Sequence, residues 1–115
     1  MSTLADFLNT LKTQPQNIQF QHTMDVIAAN YRYKPTAFSN GNTHNAAGTN
    51  EGSCKLFAFA KLNQLNVEQT LACFGDYYRI DVLEHPQGND HANIRNFMQT
   101  QWQGIEFEGQ ALEAL

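Results

Sequence analysis

Apolar residues at helical spacing open the chain. Leu4, Phe7, Leu8 and Leu11 fall at i, i+3, i+4 and i+7, one face of a short helix. Asp6 follows Thr3 by three residues in a capping-box arrangement, so the helix starts at Ser2 or Thr3, and the stretch 13–17 with Pro15 ends it. Met24, Val26, Ile27 and Ala28 predict a second helix over residues 21–30. Residues 31–40 read as extended: Tyr33 and Phe38 suit a strand, and Pro35 restricts it to an edge.

The pattern then changes. Of the sixteen residues 38–53, eleven are Asn, Gly, Ser or Thr, the chemistry of turns. A loop of this length without its own secondary structure is usually functional or disordered, so it is the first place to expect a site. Asn50 is the expected N-cap of a third helix reaching about Gln64, with Leu56, Phe57, Phe59, Ala60 and Leu62 apolar nearly all round, as in a central buried helix. Asn66 and Gln69 form a second capping box, opening a fourth helix with Leu71, Phe74, Tyr78 and Val82 inward, which either runs to Leu83 or breaks at Gly75. Residues 85–88 are a turn, and Asp90 is the expected cap of a fifth helix with Ile94, Phe97, Met98 and Trp102 on one face. Residues 105–108 alternate strictly and read as a strand. The expectation is an α+β class: one helix-rich domain over residues 1–115, with about five helices and a small two-stranded β element.

Composition narrows the functions. Apolar content of 42% in 115 residues supports a core, while charged content is only 16% and the net charge is −4. Asn and Gln, 23 together, supply the polarity instead. The seven Lys and Arg form no stripe, so nucleic acid is not an expected partner. No apolar run is long enough for a membrane span, and the first residues lack the order of a Sec signal, so synthesis in the cytoplasm is expected with no membrane partner. Cys54 and Cys73 match neither a metal pattern nor a disulfide framework and are expected to be thiols; no metal or cofactor is implied.

Only Leu65 and Asn66 join the third and fourth helices, which predicts an antiparallel hairpin. Cys54 then lies roughly opposite Tyr77, bringing the polar loop beside residues 76–79 if the fourth helix continues past Gly75. The candidate binding corner comprises Asn40, His44, Asn45, Asn50, Glu51, Ser53, Cys54, Asp76, Tyr77 and Arg79, with His91 and Arg95 as weaker candidates. A helix start there offers free N–H groups to an anion, which Glu51 opposes. Cys54 at a helix start is a candidate nucleophile with His44 or His91 as base, weighed against simple core packing of a small thiol. His85, Asp90 and His91 match no ligand spacing. Asp76, Arg79 and Asp81 suggest an ion pair, with Arg95 a partner for one of those acids, and Tyr31, Tyr33 and Tyr78 suit a core rim.

The segments FSNG (38–41), NAAGTNEGSCKLFAFA (45–60), TLACFGDYYRIDVL (70–83) and DHANIRNFM (90–98) together resemble the HopJ type III effector family. The resemblance covers most of the chain. It implies a small bacterial protein grouped with proteins delivered by type III secretion, with the secretion apparatus as a partner, and it carries over no catalytic or ligand-binding residue. The alternatives are a cytoplasmic housekeeping domain that binds a small molecule or protein, and, third, a cysteine-dependent enzyme.

Overall fold

The computed structural model describes residues 3–115. Helix α1 (Leu4–Thr13) starts at Thr3, whose hydroxyl accepts from the Asp6 N–H at 3.1 Å while the Asp6 carboxylate reaches back to the Thr3 N–H. Ser2, the other expected start, lies outside the described residues. A 3₁₀ turn at Pro15–Asn17 leads into α2 (Phe20–Asn30), and three short strands follow: β1 (Tyr31–Tyr33), β2 (Phe38–Asn40) and β3 (Thr43–Asn45). Then come α3 (Glu51–Leu62), α4 (Val67–Ala72), a π-helical segment (Tyr77–Val82), α5 (Ala92–Thr100), a 3₁₀ turn (Gln101–Gly104), β4 (Ile105–Phe107) and β5 (Leu112–Ala114).

The fold is α+β. Its β portion exceeds the expected two strands: β1 pairs antiparallel with β5, and β2 lies between β3 and β4 in a second antiparallel sheet. The extended stretch 31–40 therefore splits between two sheets. Part of the polar loop is also not loop, because β2 and β3 form a hairpin with Phe38 opposite Asn45. A three-residue strand of Thr, His and Asn is too short to show an alternation in the sequence.

Helix α3 is the central element. Phe57 sits among Phe38 at 6.0 Å, Phe74 at 5.6 Å, Phe97 at 5.0 Å and Trp102 at 6.5 Å between ring centroids. Burying each of the phenylalanines Phe38, Phe57, Phe74 and Phe97 stabilises the fold by about 1.5–3 kcal/mol, with Trp102 partly buried beside them. The helix ends at Leu62, two residues short of expectation, and Leu62 itself is half exposed rather than core. Met98, expected on the inner face of α5, is also exposed at its rim.

The second capping box forms as expected, with the Asn66 side chain on the Gln69 N–H and the Gln69 side chain on the Asn66 N–H. Helix α4 then breaks at Gly75, the second of the two courses open to it. Gly75 has φ +62°, and a Cβ there would lie 2.7 Å from the Phe20 nitrogen and 2.8 Å from the Gln19 Cα. Only glycine lets this corner press against the start of α2. At the fifth helix the expected cap is displaced by one residue: His91 occupies the N-cap position, and the Asp90 carboxylate is held by Arg95 at 2.7 Å instead.

Candidate functional site

The β2–β3 hairpin, the first turn of α3, the corner at Gly75 and the start of α5 enclose a cleft of about 380 Å³. Thr43, Asn45 and Asn50 come from the hairpin and its exit, and Gly52 and Ser53 from α3. His91, Ala92, Asn93 and Ile94 come from α5, and Phe20, Phe74 and Tyr77 form an aromatic wall. Gly52 is part of that wall's fit, since a Cβ there would come 2.8 Å from the Phe20 ring tip.

Beneath the cleft lies a network of asparagines. The Asn40 amide donates to the Asn93 carbonyl and Oδ1 at 2.8 and 2.9 Å, and Asn93 Nδ2 donates to Asn45 Oδ1 at 3.0 Å. Asn50 Nδ2 joins at Asn45 Oδ1, 2.7 Å away. Asn40, Asn45 and Asn93 are all buried, so these bonds offset a desolvation cost of about 1–3 kcal/mol for each group left unmade. Asn40 Oδ1 is buried with no partner among the described residues.

The two helix starts at the cleft share a feature. Asn50 and His91 both hold left-handed backbone, φ 48° and 51°, and neither side chain caps its helix. Asn50 has the expected cap position but not the bond: its backbone is left-handed where a capping residue is extended, and its Nδ2 is turned to Asn45 Oδ1. Neither N-cap side chain therefore accepts from a first-turn N–H group of α3 or α5. Non-glycine residues in left-handed backbone concentrate at functional sites.

The π-helical segment, a form itself enriched at functional sites, delivers Tyr77 and Asp81 to His91. The Tyr77 and His91 rings lie 5.1 Å apart at 34°, and Asp81 Oδ2 is 3.0 Å from His91 Nε2. That contact fixes the imidazole and leaves its other nitrogen unbonded by any described residue.

The sequence-predicted residues divide sharply. Asn45, Asn50, Ser53, Tyr77 and His91 line the cleft, so the polar loop and the 76–79 segment do meet. They meet through the Gly75 corner and the π-helical segment, not through a continuous fourth helix. Asn40 lies below in the network. His44 points away, exposed, 3.7 Å from Glu108. Glu51 is exposed on the first turn of α3, outside the cleft lining. Asp76 borders a neighbouring recess. Arg79 is an anchor: its guanidinium donates to the carbonyls of Pro15 and Ile18 and stands 3.5 Å from Asp76. Arg95 clips the 85–90 turn, donating to the carbonyls of His85 and Asp90 and to the Asp90 carboxylate. Its main acid is thus Asp90, not Asp76 or Asp81, although Nη2 also reaches the Asp81 carbonyl at 3.4 Å. The guanidinium holds Asp90 below the usual carboxylate range. Thr43, Asn93, Phe20 and Phe74 were missed as cleft residues; Thr43 and Asn93, the latter buried as the second residue of an amphipathic helix, were the polar signals available.

Cys54 is not in the cleft. It is buried, its thiol donates to the Thr36 carbonyl at 3.4 Å, and burial raises its pKa despite hydrogen bonds that oppose the shift. Beside it the Tyr33 hydroxyl is buried near the Glu51 carboxylate and the Cys54 thiol, and burial, followed by Glu51, pushes its pKa up. Burial pushes Cys73 up to about 12. Both cysteines are free thiols in environments that disfavour the thiolate, the reverse of what a nucleophile needs. Among the described residues no group of His, Cys, Asp and Glu is placed to hold a metal ion, and no helix is long and apolar enough to cross a membrane.

Comparison with known proteins gives two matches. A crystal structure titled as an unknown function protein, VPA0580, superposes with a TM-score of 0.97 at 57% sequence identity, covering 100% of this chain and 95% of that one. No curated protein matches. The family model described as HopJ type III effector protein matches residues 4–112, nearly the whole chain, and the chain therefore belongs to the HopJ type III effector family.

Proposed function

We propose that this protein is a non-catalytic binding module whose ligand occupies the cleft between the starts of α3 and α5, and that it is delivered through a type III apparatus as its family description suggests. One observation carries the binding half: segments far apart in sequence converge on one recess whose polar groups lack a full set of partners. First-turn N–H groups and the Ser53 hydroxyl suit a small polar ligand with acceptor groups. Phe20, Phe74 and Tyr77 suit a planar or apolar part of the same molecule. Pockets of a few hundred Å³ take ligands of that size. The raised thiol pKa values favour binding over cysteine chemistry.

A screen of small carboxamides, carboxylates and heterocycles by ¹H–¹⁵N shift perturbation tests it. Compounds that bind are expected to move the amides of Gly52, Ser53, Ala92 and Asn93 together. Gly52→Leu, whose side chain would fill the space against Phe20, is expected to abolish those shifts in a folded protein. Binders that perturb other faces and ignore Gly52→Leu would remove the cleft from consideration.

The alternative reading, a binding domain that stays in the cytoplasm, is supported by one observation: Phe7 and Leu11 of α1 are buried in the core, so the first helix is packed as an integral element.

A further inference from the structure

The aromatic wall of the cleft has a second use. Phe20, Phe74 and Tyr77 also line an adjoining recess of about 270 Å³, completed by Gln19, Gln21 and Asp76. We infer that this recess binds an alkylated ammonium group, a quaternary or methylated amine. The inference goes beyond the cleft ligand and does not depend on it.

Two part-exposed rings, Phe20 and Tyr77, over a floor formed by the buried Phe74, together with one carboxylate, are the elements of an ammonium site, in which ring faces attract the cation through their quadrupoles at centroid distances within about 6 Å. Here Tyr77 stands edge-on to Phe20 at 5.2 Å and 60°, and Phe74 lies nearly parallel to Phe20, 6.2 Å away. Tyr77 is 44% exposed, so its ring is open to an incoming group. The Asp76 side chain is 54% exposed and supplies the charge. Its nearest cation, Arg79, is 3.5 Å away and turned to the carbonyls of Pro15 and Ile18, which leaves the carboxylate incompletely neutralised.

The halves of the site are also fixed to each other. Gly75 packs against Gln19 and Phe20, and the Asp76 N–H donates to Gln19 Oε1 at 3.3 Å. A site assembled before its ligand arrives loses less freedom on binding. A net charge of −4 adds a field that favours a cation over an anion.

Choline is the probe, with 3,3-dimethylbutan-1-ol as its neutral isostere, each titrated into the full chain while backbone amides and aromatic CH groups are followed by NMR. Choline is expected to give saturable shifts at the rings of Phe20, Phe74 and Tyr77 and at the Asp76 amide. The isostere is expected to bind about twofold to fivefold more weakly, the loss that corresponds to one exposed cation–π contact. Tyr77→Leu keeps apolar bulk without the π face, and Asp76→Asn removes the charge; each is expected to weaken choline about threefold or more while the spectrum stays dispersed. Equal affinity for the isostere, or choline binding unchanged in both variants, would reduce the recess to an apolar dent and overturn the inference. So would shifts that never saturate. Failure here leaves the Gly52 and Asn93 amides free to respond to a cleft ligand, so the two sites are tested separately.

Discussion

At the scale of single residues, the thiols decide more than the charged groups do. Cys54 and Cys73 are neutral in the folded protein because burial disfavours their thiolates. In the unfolded chain they ionise near the ordinary value of 9.0, so at alkaline pH the unfolded state sheds protons first and the folded state loses stability. For Cys73 the contribution is complete below pH 9.0 and is lost as pH rises toward about 12. Unfolding midpoints in urea are expected to fall over that window in wild type, and to fall less in Cys73→Ala after its own cavity cost is subtracted. Both thiols are also expected to resist iodoacetamide at neutral pH until the chain is unfolded. Fast labelling of Cys54 in the native state would return the thiol to the list of nucleophiles.

At the scale of elements, what the sequence reveals depends on how much of a signal is local. The capping boxes at Thr3 and Asn66 involve residues three apart and are read directly. The α3 stripe is equally plain. The caps at Asn50 and His91 are not, because their side chains are engaged across space by Asn45 and Asp81, and a propensity for capping says nothing of a better-placed distant partner. The same limit hid β3 and β5, whose three residues gain their order from neighbours. Five of the twelve candidate site residues line the cleft, since the polar loop was visible as turn chemistry. Phe20 and Phe74 were not, since an aromatic on an apolar face looks the same whether it faces core or cleft. Gly75 is where element and site join. Gly75→Ala forces a Cβ into the backbone of residues 19 and 20 at a positive φ, and is expected to cost at least about 2 kcal/mol in chemical denaturation. It should also shift the Tyr77 and Phe20 ring signals, whereas Gly48→Ala, at φ +85° with nothing within 4 Å, should cost only the backbone strain and leave those signals in place.

At the scale of the whole molecule, delivery and architecture are in tension. A body of 35 × 32 × 20 Å must unfold to thread a narrow secretion channel, and a leader in its first helix must come away first. Helix α1 docks by one face: Phe7 meets Phe59 edge-on at 5.7 Å and His22 at 5.1 Å, Leu11 is buried, and Leu4 and Leu8 are half covered. Exposing Phe7 and Leu11 costs about 3–6 kcal/mol at 1.5–3 for each side chain. Typical domains have about 5–15 kcal/mol in all. Detachment of α1 is thus a substantial opening, yet one that need not unfold α3. For an effector, amides 7–11 are expected to exchange through an opening cheaper than that of residues 56–62. Residues 1–19 fused to an inert reporter are expected to leave the cell when a type III apparatus is present and to stay when it is disabled. Exchange at 7–11 as slow as at 56–62, together with a retained reporter, would place α1 in the same cooperative unit as the core. The chain would then be a binding domain that works where it is made.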